Sequence, residues 1–203
     1  MNGEMTTEGW IKYSINEDLK LRALEREKSL TGFKANKTLD GPFVGAFGEV
    51  LAEDFFKSLK ENSIIKDYQY TGAEVGPDFT VQASEQLVFT IDVKTKRRTK
   101  PPEKRFEMSV PCYLYDNESY NDPDLFMCIQ INTKLDALKT VNDAWIIGFI
   151  PKHIYRFHRY IEYEGRKTGG ASGKSGTMPC DVFQVEHKYL HKFSSLLKYK
   201  TYL

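Results

Sequence analysis

The sequence has little sulfur chemistry and almost no net charge. Its 203 residues include three cysteines, Cys112, Cys128 and Cys180, an odd and widely spaced set with no CxxC. That argues against a disulfide framework or a cysteine zinc motif and for reduced thiols in an intracellular, cytoplasmic protein. The first residues, MNGEMTTEGWIKYS, lack the apolar core of a signal peptide. No apolar run approaches the roughly 18 residues of a membrane span. The formal net charge is +1, so no global field draws the chain to a polyanion. Any such affinity must come from local patches. Neither an internal repeat nor a domain boundary is visible, and the length suits one domain with a sizeable core.

What is present is a globular composition, 40% hydrophobic and 28% charged. Residues 15–30, INEDLKLRALEREKSL, read as a helix capped by Asn16, with acids first and bases last. Residues 43–62 read as a second helix, because Val44, Phe47, Leu51, Phe55 and Leu59 recur at steps of three and four. From about Tyr68 the period changes to two. Phe79 and Val81, then Phe89, Ile91 and Val93, alternate with polar residues across ASEQ, which reads as an antiparallel hairpin with one buried face. A short strand is expected within FEMSVPCYLY. LFMCIQI (125–131) and AWIIGFI (144–150) read as central strands. EGRKTGGASGKSGTMP reads as a Gly/Ser-rich loop, and the last segment as a strand running into a short helix.

The polar face of the hairpin carries the chemistry. Asp92 and Lys94 share one face of their strand. A turn through Ser84–Glu85–Gln86 sets Asp78 opposite Asp92, with Cβ atoms about 4.5–5.5 Å apart. Two like charges at that distance call for a cation between them, and carboxylate oxygens suit Mg²⁺. In the preceding helix Gly45 and Gly48 cost about 1 kcal/mol each relative to Ala, which makes sense where backbone must approach a sheet closely. Glu49 borders the apolar stripe and can reach a polar site; Glu53 lies one turn further on the same side.

The stretch GAFGE (45–49) on a helix, GPD (76–78) entering a strand and DVK (92–94) on the next strand resembles, in order and spacing, the PD-(D/E)XK nuclease superfamily. That resemblance implies a restriction-endonuclease-like α/β fold. It would be one nuclease domain over 1–203, with an N-terminal helix at about 15–30, a catalytic core at about 43–150 and an extension over 151–203. A mixed central sheet of four or more strands would be flanked by the helices. It further implies Mg²⁺-dependent hydrolysis of DNA phosphodiester bonds, with Mn²⁺ able to substitute. Asp78, Asp92 and the backbone carbonyl of Val93 would hold the metal. Lys94 would orient water or stabilise charge on the phosphate, and Glu49 would hold a second metal or its water shell. An endonuclease is the leading expectation. An exonuclease, a junction-resolving enzyme or a non-catalytic binding module are the alternatives, with a homodimer as a candidate assembly.

After the DVK comes KTKRRTKPPEKR. From Lys94 to Arg105 it holds seven basic residues and one acid. Lys96, Arg97, Arg98, Lys100, Lys104 and Arg105 are therefore the candidate phosphate contacts, on an arm kept extended by Pro101 and Pro102. Tyr113, Tyr115 and Tyr120 could stack on bases. GGASGKSG is not a P-loop, since Thr168 stands where that motif needs glycine. His187 and His191 have helical ligand spacing but no third partner. Gln130, inside an apolar strand, is either a core polar residue satisfied locally or a donor facing the active site.

Overall fold

A computed structural model describes residues 3–29, 41–72, 76–111, 123–133, 140–158, 160–162, 167–168, 176–177, 182–193 and 195. Two helices pack on one face of a seven-stranded mixed sheet, and a three-stranded sheet covers part of the other. Helix α1 spans Glu17–Ser29. Asn16 caps it as expected, its Oδ1 accepting from the Leu19 N–H at 2.9 Å. Helix α2 spans Gly41–Glu61 and buries Val44, Phe47, Leu51 and Phe55, with Phe43, Val50 and Phe56 widening the stripe. Arg22 joins α1 to α2 by a two-pronged pair with Asp54, at 2.7 and 2.5 Å.

The main sheet contains β1 (Glu4–Met5), β2 (Ile11–Ser14), β3 (Asp67–Tyr70), β4 (Phe79–Ser84), β5 (Leu87–Arg98), β7 (Leu125–Asn132) and β8 (Asp143–Pro151). Their spatial order is β1-β2-β8-β7-β5-β4-β3. Only β5 and β7 run parallel; every other pairing in this sheet is antiparallel. The smaller sheet has β12 (Val182–Glu186) between β6 (Glu107–Pro111) and β9 (Tyr160–Glu162). A third helix, α3, spans Lys152–His158. Among the described residues no helix is long and apolar enough to cross a membrane.

The β4–β5 hairpin decides which face the acids take. Ser84 pairs with Leu87 across the turn, yet Gln82 pairs with Val88 and Phe79 with Ile91. A one-residue irregularity between Gln82 and Ser84 absorbs the difference. Without it, Phe79 would stand opposite Asp92 and Asp78 opposite Val93. A one-residue slip turns every side chain to the other face. The irregularity thus keeps Phe79, Val81, Phe89 and Ile91 together in the core beneath α2.

The expected mixed sheet of four or more strands has seven, two of them, β1 and β2, from an N-terminal segment for which no strand is expected. Two expectations need correction. The Gly/Ser-rich segment is paired at its ends, β10 (Lys167–Thr168) with β11 (Gly176–Thr177); residues 169–175 lie outside the described residues. The basic run is not an arm from its start. β5 continues to Arg98, and its residues 91–98 pair with β7 throughout.

Candidate active site

The site lies where β4 begins. Phe79, opposite Ile91, is the first residue of that strand. Beyond Ile91 the described part of β5 has a strand neighbour on one side, β7, and a notch on the other. Asp78 stands at this notch. Gly76 precedes it with φ at 124°, a backbone region that favours glycine, and Pro77 leads into the strand. The Asp78 N–H donates to the Ile91 carbonyl at 2.9 Å. Its carboxylate Oδ2 accepts from the Val93 N–H at 2.6 Å. In a strand the N–H and C=O of one residue point to the same side, so the Val93 carbonyl also faces the notch.

Asp92 and Lys94 lie on the sheet face opposite the core residues Ile91 and Val93. Asp92 is 4% exposed, which for a carboxylate demands a partner. Lys94 supplies it, with Nζ 2.7 Å from Oδ2. Glu49 comes from α2 on the other side of β5. Its approach depends on Gly48: a Cβ there would overlap the Thr95 hydroxyl of β5. That close approach is the expected reason for a glycine in this helix. It does not extend to Gly45, whose Cβ would meet nothing within 4 Å. The Tyr70 hydroxyl donates to Glu49 Oε2 at 2.7 Å. Glu53 turns instead to Arg26 of α1, with which it pairs. Glu49, not Glu53, is therefore the helix acid next to the aspartates.

The three carboxylates feel one another. Burial raises the Asp78 carboxyl well above its ordinary value, and the charges of Asp92 and Glu49 add to this. Lys94 and the Val93 N–H oppose the rise. Burial also raises Glu49, against the Tyr70 hydrogen bond and the charge of Arg26; Asp92 adds to the rise. These are the directions expected where buried and half-buried acids outnumber the cations beside them. In chemistry the donors fit a hard divalent cation: carboxylate oxygens and a strand carbonyl. Among the described residues, no three His, Cys, Asp or Glu side chains are already gathered as a metal cage. Asp92 is closed onto Lys94 and Asp78 onto Val93.

The remaining candidates fall elsewhere. Lys96 donates to Ser109 Oγ of β6 at 2.7 Å, and Arg98 pairs with Glu107 of β6 at 3.0 Å while lying 4.7 Å from the Phe106 ring centre. These two are half-buried braces between the sheets, because β5 carries them toward β6. Arg97 lies on the opposite face of β5. Lys100, Lys104 and Arg105 are exposed, Arg105 paired with Glu103 at 2.7 Å. Gln130 is aligned with Lys96 in the β5–β7 ladder, two pleats from the Asp92 row, and donates to the Lys100 carbonyl at 2.9 Å. It tethers the loop after β5 and does not reach the acids. His187 and His191 share no helix face. His187 is buried beside Cys128, with Nε2 and Sγ 3.7 Å apart, whereas His191 stacks on Phe149. Tyr113, Tyr115 and Tyr120 lie outside the described residues. Tyr70 is the site residue that sequence reasoning missed. Its polar-apolar strand, DYQY, marks an edge, but nothing local aims its hydroxyl at Glu49.

No protein-family model matches this chain, and no curated protein matches it as a relative.

Proposed function

We propose that this protein is a divalent-metal-dependent nuclease that hydrolyses DNA phosphodiester bonds, acting as an endonuclease. The observation that supports it most is that Asp78 at the entry to β4, Asp92 and Lys94 on β5 and Glu49 on α2 lie close enough to act on one another's charge. Elsewhere Gln130 tethers the loop after β5, and Lys96 and Arg98 brace β5 against β6. Here acids are held beside acids at an energetic cost, which is the arrangement a functional cation site requires.

Asp78, Asp92 and the Val93 carbonyl would hold Mg²⁺, with Glu49 holding a second ion or the water around the first. Bound there, the metal would make a water more acidic and polarise a phosphoryl oxygen. The chain's own contribution is positional. Asp92 holds Lys94 at the site, with Nζ 2.7 Å from Oδ2. With a cation bound there, Lys94, 18% exposed at its side chain, would be placed to donate to the attacking water or to a phosphate oxygen, where charge grows in the transition state. Lys100, Lys104 and Arg105, exposed beyond the end of β5, would contact flanking phosphates.

The test uses purified protein with supercoiled, linear and branched DNA, in Mg²⁺ or in EDTA. Nicked or linearised plasmid in Mg²⁺ alone is the expected result. Loss of linear DNA only would make the enzyme an exonuclease, and cleavage of branched DNA only would make it a resolving enzyme. DNA binding without cleavage of any substrate would leave a binding module and overturn the proposal. Lys94→Ala should abolish cleavage while preserving most DNA affinity, with some loss of stability because Asp92 loses its partner; parental activity in that variant would remove Lys94 from the chemistry.

A further inference from the structure

We propose that Tyr70, braced by Arg26, is a positioning residue that holds Glu49 ready for a divalent cation. The inference rests on reading Asp78, Asp92 and Glu49 as a cation site, and it adds an outer partner to that site.

Glu49 projects from α2 on a side chain with three rotatable bonds. Fixing such a side chain costs rotamer freedom. The Tyr70 hydroxyl, at 2.7 Å from Oε2, holds one carboxylate oxygen in place. The ring is held in turn from two sides. Phe79 packs against it with ring centres 5.3 Å apart, and the Arg26 guanidinium lies 4.0 Å from its centre. Arg26 is itself anchored to Glu53, one helical turn from Glu49. Two helices and strand β3 thus converge on a single carboxylate.

The division of partners between the two glutamates is the telling feature. Glu53 receives the arginine, which cancels its charge. Glu49 receives a neutral hydroxyl, which orients the carboxylate without pairing it to a cation. An oriented carboxylate that is not committed to a cationic side chain is what a cation ligand needs, and outer partners of ligating carboxylates commonly have this hydrogen-bonding role. An arginine paired directly with Glu49 would instead compete with the cation.

The experiment measures Mn²⁺ binding to metal-free protein by titration calorimetry, for the parent, Tyr70→Phe, Glu49→Gln and the double variant. Tyr70→Phe keeps the ring and its packing and removes only the donor. It should weaken Mn²⁺ binding about tenfold, the lower end of the range for outer-partner changes. In the Glu49→Gln chain the same change should have little further effect, because the two residues act as a unit. Parental Mn²⁺ affinity in Tyr70→Phe, even with a lowered melting temperature, would make Tyr70 a packing residue and overturn the proposal. An equal loss in both backgrounds would overturn it too. Asp78→Asn separates this from failure of the underlying reading. If it abolishes Mn²⁺ binding while Tyr70→Phe does not weaken it, the cation site stands and the brace falls. If the parent chain binds no Mn²⁺, both fall.

Discussion

Replacing Gly48 and Gly45 in turn by alanine tests how α2 is seated on the sheet. The two glycines lie three residues apart in one helix and have the same intrinsic cost, about 1 kcal/mol relative to Ala. Propensity alone predicts that both variants gain stability. The structure predicts opposite signs. At Gly45 a Cβ meets nothing within 4 Å, so Gly45→Ala should gain about 0.5–1 kcal/mol. At Gly48 a Cβ would overlap the Thr95 hydroxyl and come within 2.8 Å of Thr95 Cβ. Relief requires the helix or β5 to move, and overpacking of this kind costs about 1–3 kcal/mol. Set against the propensity gain, Gly48→Ala should lose up to about 2 kcal/mol. The functional loss should exceed the stability loss. Glu49 is the next residue, and a displacement of about 1 Å in a positioned group can cost on the order of 10²-fold in rate. Chemical denaturation gives the stabilities, and plasmid nicking in Mg²⁺ gives the rates. Thr95→Ala, which removes the overlapping oxygen, should restore part of both losses in the Gly48→Ala chain. Gly48→Ala as stable and active as the parent would refute the close seating of α2 and, with it, the path by which Glu49 reaches the aspartates.

Two further outcomes follow from the electrostatics. His187, 3% exposed, has its imidazole lowered from 6.5 to about 3, by burial first and then by the charges of Arg98 and Lys96. A group depressed in the folded state contributes stability that is complete above its unfolded value and is lost as pH falls toward the folded one. The loss across the window from 6.5 down to about 3 amounts to roughly 4–5 kcal/mol. Denaturation midpoints of the parent should therefore fall more steeply below pH 6.5 than those of His187→Leu; parallel slopes would refute the buried neutral imidazole. The basic run should divide in two. Neutralising Lys100, Lys104 and Arg105 should weaken DNA binding and reduce its log-log salt slope by about 0.9 for each phosphate that is no longer neutralised. Lys96→Ala and Arg98→Ala should act first on stability, through Ser109 and Glu107. An unchanged salt slope in the first set would return the exposed bases to the solvated surface.

Much of the site was legible because its signals are local or periodic. Alternation places Asp92 and Lys94 on one face whatever the strand pairs with, and their ion pair follows from that. The hairpin register was also reachable, since it depends on nearby turn residues. The expected three-residue turn and the observed tight turn with an irregularity before Ser84 both pair Phe79 with Ile91; Asp78, just before the strand, accepts from the Val93 N–H. The basic run misled because charge density carries no information about what lies across the sheet. Its period matches that of the strand preceding it, and β5 continues through Arg98 because β7 is there to pair with it.

The sequence by itself determined the α/β pattern, the cap of α1 and the apolar stripe of α2, and the hairpin with its acids and lysine. Each of these depends on interactions between residues a few positions apart, where spacing alone sets direction. The tertiary structure decided which glutamate joins the aspartates, which glycine is indispensable, and which basic residues remain exposed. Each of those depends on a partner remote in the chain: Arg26 for Glu53, Tyr70 for Glu49, Thr95 for Gly48, and β6 for Lys96 and Arg98. The choice among chemically equivalent residues is made by packing, and packing is a property of the assembled layers.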